Sequence, residues 1–137
     1  MTKFEALKDL VIDAYKEEHT KLVWATTLSV DTPSIYSADF NMAIINVNYH
    51  KEKGYLFFAS FHELGHSATV HEGDHRLHTW NEYDVANDSE RSANTWAIKH
   101  LLKHHHDNDG RDLIYEFMDI YQIPYSLSDL VETIMFE

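Results

Sequence analysis

Cysteine is missing from the 137-residue sequence, and glycine and proline are scarce, with four and two residues. Without cysteine the protein has no disulfides and no thiolate ligands, so a bound metal ion would be held by histidine, aspartate or glutamate. Because glycine and proline are so few, long flexible linkers are not expected, and the length fits a single domain spanning residues 1–137.

Basic residues are also few, since 11 lysines and arginines stand against 23 aspartates and glutamates, for a formal net charge of −12. Binding nucleic acid by neutralising its phosphates needs the opposite excess, so we do not expect direct contact with nucleic acid. No apolar run approaches the ~18 residues of a membrane span, and no apolar signal-peptide segment is evident near Met1. The sequence therefore predicts a cytoplasmic protein that does not use a membrane as a partner.

Hydrophobic periodicity predicts an α+β fold with an N-terminal helix, a small antiparallel sheet and C-terminal helices. The segment 55–70 is apolar on nearly every side, so we expect it to form a helix at the centre of the domain. The polar segment 49–54 is expected to precede that helix. The other predicted elements are a helix at 3–18, strands at 21–28, 35–36 and 42–47, a hairpin connection at 37–41, a loop at 71–89, and helices at 88–105, 111–121 and 127–136.

The central predicted helix contains the run His62-Glu63-Leu64-Gly65-His66. Histidines four residues apart lie on one face of a helix, so both imidazoles can reach one metal ion. Glu63 points slightly aside, where it can take a proton from a water molecule that attacks a carbonyl carbon. Gly65 leaves room for another backbone or a substrate. The pattern indicates a zinc metallopeptidase; the alternative is a buried hydrogen-bonded cluster without metal.

A catalytic zinc ion usually has three protein ligands, so one more is needed. His75 and His78 are candidates in the predicted loop, whereas His71 would point away if the helix continued. Glu90 is the better candidate, because it opens the next helix on a face with small alanines that permits close packing. Asn94 lies one turn further on and could hydrogen-bond a ligand. The alternative is that Glu90 is only a first-turn carboxylate favoured by the helix dipole.

Three blocks of the sequence resemble the ImmA/IrrE family of metallopeptidases, and most of all its short members, which are found beside repressor genes in phages and mobile elements. The resemblance extends over roughly residues 32–136. The blocks are Thr32-Pro-Ser-Ile-Tyr with Met42-Ala-Ile-Ile-Asn-Val-Asn, Phe61-His-Glu-Leu-Gly-His, and Glu90-Arg-Ser-Ala-Asn-Thr-Trp-Ala.

The resemblance implies a zincin-like minimal metallopeptidase domain, a zinc ion held by His62, His66 and Glu90, and Glu63 as general base. It also implies a protein substrate, a helix-turn-helix DNA-binding repressor that is cut at a specific site to derepress a phage or mobile element. An alternative stays open, a non-catalytic antirepressor that sequesters the repressor and keeps zinc for structure. A fourth protein ligand would favour that alternative.

Two further expectations concern histidines outside the motif. Zincins usually add a side chain that stabilises the oxyanion, and Tyr83, His71, His75 and His78 lie close enough in sequence to serve. The run 104–106 consists of three histidines and could bind a second metal. A C-terminal helical turn, where the dipole favours cations, is the better interpretation of that run.

Overall fold

The computed structural model describes residues 3–69, 77–79 and 88–137, with no side-chain description for 3–4, 51–53 and 77–79. The structure confirms the α+β class. Its helices are Lys3–Glu17 (α1), Val47–Lys53 (α2), Leu56–Thr69 (α3), Asp88–Asp107 (α4), Ile114–Ile120 (α5) and Ser128–Met135 (α6), with a 3-10 turn at Tyr125–Leu127. Its strands are Lys21–Ala25 (β1), Ile35–Ser37 (β2), Met42–Asn46 (β3) and Leu77–Thr79 (β4).

The sheet is mixed, with the strand order β1-β3-β2-β4. Strand β2 is antiparallel to β3, as expected, and the 37–41 connection forms the predicted hairpin. Strand β2 is also antiparallel to β4, a strand that the sequence did not predict. The expectation of an antiparallel sheet is wrong for β1, which runs parallel to β3 with Lys21 opposite Met42. The reason is the 26–34 connection, which carries the chain past one strand position, so that β3 returns into the gap between β1 and β2.

Two asparagine side chains hold this connection in place. The Nδ2 group of Asn46 donates to the carbonyl oxygens of Ser29 and Thr32 at 2.7 and 2.5 Å. The Nδ2 group of Asn48 donates to the carbonyl oxygen of Leu28 at 2.9 Å. Irregular backbone needs such partners when it crosses the end of a sheet, because it cannot join the regular ladder.

Two local predictions are corrected. The polar segment 49–54 does not merely precede a helix, because most of it lies within α2. That helix begins where the Asn46 side chain accepts a hydrogen bond from the backbone N–H of Asn48 at 3.1 Å, and it ends before Gly54, whose φ is +78°. The segment 71–89 is not a loop throughout, because it contains β4, which pairs with β2. Such a distant pairing leaves no local signal in the sequence.

Helix α3 lies at the centre of the core, and every residue from Leu56 to His66 is buried. It packs along α4 and also contacts α1, β2 and β3. The C-terminal helices close the core with Phe117, Met118 and Val131, which are fully buried. Among residues 3–69 and 88–137, no helix is long and apolar enough to cross a membrane.

Candidate metal centre

Helices α3 and α4 bring together His62, His66 and Glu90. The two histidines lie one turn apart on α3, with ring centroids 4.8 Å apart, and Glu90 lies in the first turn of α4. All three side chains are buried, and one ligand atom from each lies within 4.8 Å of the others. The three residues predicted from the sequence therefore form one buried group that could bind a metal ion.

The distances within this group suit a small divalent cation. Nε2 of His62 lies 2.7 Å from Oε2 of Glu90, and Nε2 of His66 lies 3.2 Å from Oε1 of the same carboxylate. Bonds of about 2.0–2.1 Å at tetrahedral angles place neighbouring ligand atoms about 3.4 Å apart. Two imidazole nitrogens and one carboxylate are also a donor set that zinc accepts. The residues therefore fit such an ion with only small side-chain adjustments.

Neighbouring side chains fix the orientation of both imidazoles. Nδ1 of His62 lies 2.6 Å from Oδ1 of Asn94, the hydrogen bond expected from the position of Asn94 on α4. Since an amide oxygen only accepts, Nδ1 of His62 is the donor, and Nε2 is the nitrogen directed at the group, where it could give its lone pair to a metal ion. His66 has two neighbours that the sequence did not identify: Ser89 Oγ lies 3.5 Å from its Nδ1, and the Tyr36 ring stacks on it at 6.4 Å.

Glu90 is held as a carboxylate. Burial raises the pKa of Glu90, but hydrogen bonding to His62 and His66, together with their charge, outweighs burial and lowers this pKa to about 2. The dipole of α4 acts in the same direction, because Glu90 lies in the first turn of the helix. The third residue of the group therefore supplies a negative charge, which a divalent cation would neutralise.

Glu63 is completely buried beside this group. Neither of its carboxylate oxygens has a hydrogen-bond partner among the described residues. Burial raises the pKa of Glu63 well above its usual range, and the charge of Glu90 raises it further. A buried carboxylate without partners lowers the stability of a fold, so its presence here calls for a function.

Gly65 allows the two ligand-bearing helices to touch. A Cβ atom at Gly65 would lie 2.5 Å from the carbonyl oxygen of Ala93 and 2.9 Å from its Cα. The sequence predicted that Gly65 leaves room for either another backbone or a substrate. The structure shows another backbone at this position, that of α4. Ala93 and Ala97 are fully buried on the same face as Glu90, as the small side chains of α4 predicted.

Tyr15 of α1 lies behind the motif. Its hydroxyl donates to the carbonyl oxygen of Ser60 on α3 at 2.6 Å. Burial raises the pKa of Tyr15, and the nearby charge of Glu63 raises it further. This contact was not predicted, because helical spacing does not reveal which backbone group a core hydroxyl will reach.

The alternative ligands and oxyanion donors are not tested by the structure. His71, His75 and Tyr83 lie outside the described residues, and only the backbone of His78 is described, in β4. Within the described part of the chain, Glu90 is the third member of the group that could bind a metal ion.

The three histidines 104–106 lie in the last turn of α4. Nε2 of His105 lies 2.9 Å from the carbonyl oxygen of Arg111, and Nε2 of His106 lies 2.6 Å from Oδ1 of Asp112. Within residues 3–69 and 88–137, no metal-ligating group of three or more forms around them. The interpretation as a helical C-terminus therefore agrees with the structure.

Comparisons of the chain with protein-family models, curated proteins and solved structures found no match. The resemblance of its motifs to the ImmA/IrrE family stays a prediction. Its function is therefore inferred from the residues of the site itself.

Proposed function

We propose that the protein is a zinc-dependent endopeptidase with a zincin-like fold, in which His62, His66 and Glu90 hold the metal and Glu63 is the general base. The observation that supports this most is Glu63, which is fully buried with both oxygens unbonded among the described residues. A metal kept only for structure needs no such carboxylate beside it. Sequences keep locally unfavourable groups of this kind mainly where they serve a function.

The number of ligands points the same way. A structural zinc site is usually closed by four protein ligands, whereas a catalytic site has three and an open position. The group formed by His62, His66 and Glu90 has three members within the described part of the chain. Three members are the number of protein ligands that a catalytic zinc ion needs.

Each residue of the site has a place in the proposed reaction. A bound zinc ion would polarise the carbonyl of the scissile peptide bond and lower the pKa of a water molecule. Glu63 would accept a proton from the attacking water on a carboxylate oxygen and then deliver it to the leaving amine nitrogen. Asn94 would hold the imidazole of His62 in the orientation that presents Nε2.

We further propose that the substrate is a helix-turn-helix repressor of a phage or mobile element. The motif resemblance suggests this class of protein. The formal net charge of −12 supports it, because a basic DNA-binding protein would be attracted to an acidic surface. Cleavage at one site would separate DNA binding from oligomerisation or another repressor function, and the element would be derepressed.

The test is incubation of the zinc-loaded protein with the repressor encoded beside it, followed by mass spectrometry of the intact products. We expect one cut that a chelator abolishes. The Glu63→Gln variant is the matched control, since it keeps the size of the side chain and all three ligands. It should bind zinc normally and lose at least about 100-fold in cleavage rate. Tight complex formation without a cut would contradict the proposal and support the antirepressor, and cleavage by the variant would refute the role of Glu63.

A further inference from the structure

A groove of about 410 Å³ lies between α1 and β1. Its volume falls within the range of small-molecule sites. Three half-buried apolar side chains line it, namely Ile12 from α1 and Leu22 and Trp24 from β1. The metal-site residues are not part of its lining, so the groove is a separate site.

The indole of Trp24 lines this groove, and its covered N–H is an unused hydrogen-bond donor. Its Nε1 atom is buried from solvent and has no partner among the described residues. An indole N–H can only donate a hydrogen bond, so its partner must be an acceptor atom. Buried N–H groups are normally bonded, because one left unpaired lowers the stability of the fold. Because Nε1 is covered, a ligand in the groove would meet the indole ring as apolar surface.

Two lysines add positive charge to the same groove. Lys8 and Lys16 lie two turns apart on one face of α1, and both are exposed. Nζ of Lys8 lies over the Trp24 ring, 5.5 Å from its centroid, within the range of a cation–π contact. Neither lysine forms an ion pair with any residue in the described ranges, whereas Lys103 and Arg111 do. In a chain with a net charge of −12, two unpaired cations at one apolar groove favour an anionic ligand.

We propose that this groove binds a small amphipathic carboxylate. Its carboxylate would pair with Lys8 or Lys16, while its apolar body would cover Ile12, Leu22 and the Trp24 ring. The geometry favours this chemistry over two others. A neutral apolar ligand would leave both lysines without a counter-charge, and a cationic ligand would be repelled by them.

Decanoate is a suitable probe, used below its critical micelle concentration with the zinc-loaded full chain. The readout is the indole N–H signal of Trp24 in a proton–nitrogen correlation spectrum, assigned by its loss in Trp24→Phe. We expect this signal to shift on titration, with decanoate binding at least tenfold more tightly than decanol and with no shift on adding decylammonium. This readout does not depend on peptidase activity, so it can succeed or fail independently of the proposed function.

Charge variants test the role of the lysines. The double variant Lys8→Met, Lys16→Met keeps the aliphatic stems and should weaken decanoate binding at least tenfold. Lys99→Met is the matched control, because it removes one exposed charge from α4, outside the groove, and should leave binding unchanged. The proposal is overturned if the Trp24 signal does not move, if decanol binds as tightly as decanoate, or if Lys99→Met weakens binding as much as the double variant.

Discussion

Replacement of Gly65 by alanine tests how the two ligand-bearing helices are held together. The added Cβ would lie 2.5 Å from the carbonyl oxygen of Ala93 and 3.0 Å from its carbonyl carbon. Relaxed contacts between such atoms are about 3.5 Å, so α3 and α4 must separate by about 1 Å. His62 and His66 would move with α3 while Glu90 stays with α4, and the ligand group would open.

The size of the effect follows from these distances. Metal–ligand bonds tolerate deviations of about 0.2 Å, so a separation of about 1 Å removes Glu90 from a shared ion unless the helix bends. We therefore expect zinc affinity to fall about 100-fold or more. Loss of a hydrogen bond that supports a metal ligand lowers affinity by up to this amount, and loss of the ligand itself should have at least the same effect. Overpacking costs about 1–3 kcal/mol, and alanine returns up to about 1 kcal/mol through its helix propensity. Subtracting the full return, the metal-free variant should be less stable by up to about 2 kcal/mol.

The assay is competition with a chromophoric chelator for zinc affinity, combined with urea unfolding of the metal-free protein. Gly54→Ala is the control, because Gly54 has a φ of +78° and no atom within 4 Å of an added Cβ. That substitution strains the backbone by about 1–2 kcal/mol without touching α4, so it should lower stability and leave zinc affinity unchanged. Wild-type zinc affinity in Gly65→Ala, or equal loss of affinity in both variants, would refute the reasoning.

Three further predictions concern single side chains. Glu90→Ala removes one of three ligands and should lower zinc affinity at least about 100-fold in the chelator competition, and unchanged zinc content would exclude Glu90 as a ligand. Asn94→Ala should weaken zinc binding about 10–100-fold, because His62 loses the hydrogen bond that orients it, and an unaltered affinity would contradict this. Burial against Trp96 lowers the pKa of His100, an effect that exceeds the opposing charges of acidic neighbours. The unfolded chain therefore takes up this proton first as the pH falls, and stability is lost from about pH 6.5 downward through the folded pKa. His100→Phe should reduce the loss of stability between about pH 7 and 5 in urea titrations, and an identical pH profile would refute the assignment.

Local chemistry explains why the centre of this site could be predicted from the sequence. The spacing of His62 and His66 is a property of one helix, and an apolar sequence on all sides of that helix predicts its burial. The role of Glu90 was harder to predict, because an acidic residue in the first turn of a helix is also favoured by the helix dipole alone. Only the small residues around Ala93 indicated that this helix packs closely against another. The position of Asn94, one turn along, then followed from helical geometry.

Features that depend on distant pairings were not predictable in the same way. The parallel alignment of β1 with β3 and the pairing of β4 with β2 join segments that are far apart in the chain. Their short strands carry no signal of a partner. Helix α2 depends on a cap from Asn46, a residue that also bonds the 26–34 connection, so its role becomes visible only in the folded chain. From the sequence, such residues can be assigned to a helix or a strand, but their hydrogen-bond partners cannot be predicted.

The hydrogen bond from the Tyr15 hydroxyl to the carbonyl oxygen of Ser60 indicates how much of the chain is needed to form the site. The candidate metal ligands and the motif blocks all lie after residue 31, so a fragment that starts at Thr32 would contain every recognisable part of the site. That fragment would lack the helix that covers the back of α3, and water would reach Glu63 from that side. We expect such a truncated chain to bind zinc weakly and to lose the dry surroundings of Glu63, the proposed general base. The segment that carries recognisable motifs is therefore shorter than the segment that the protein needs in order to function.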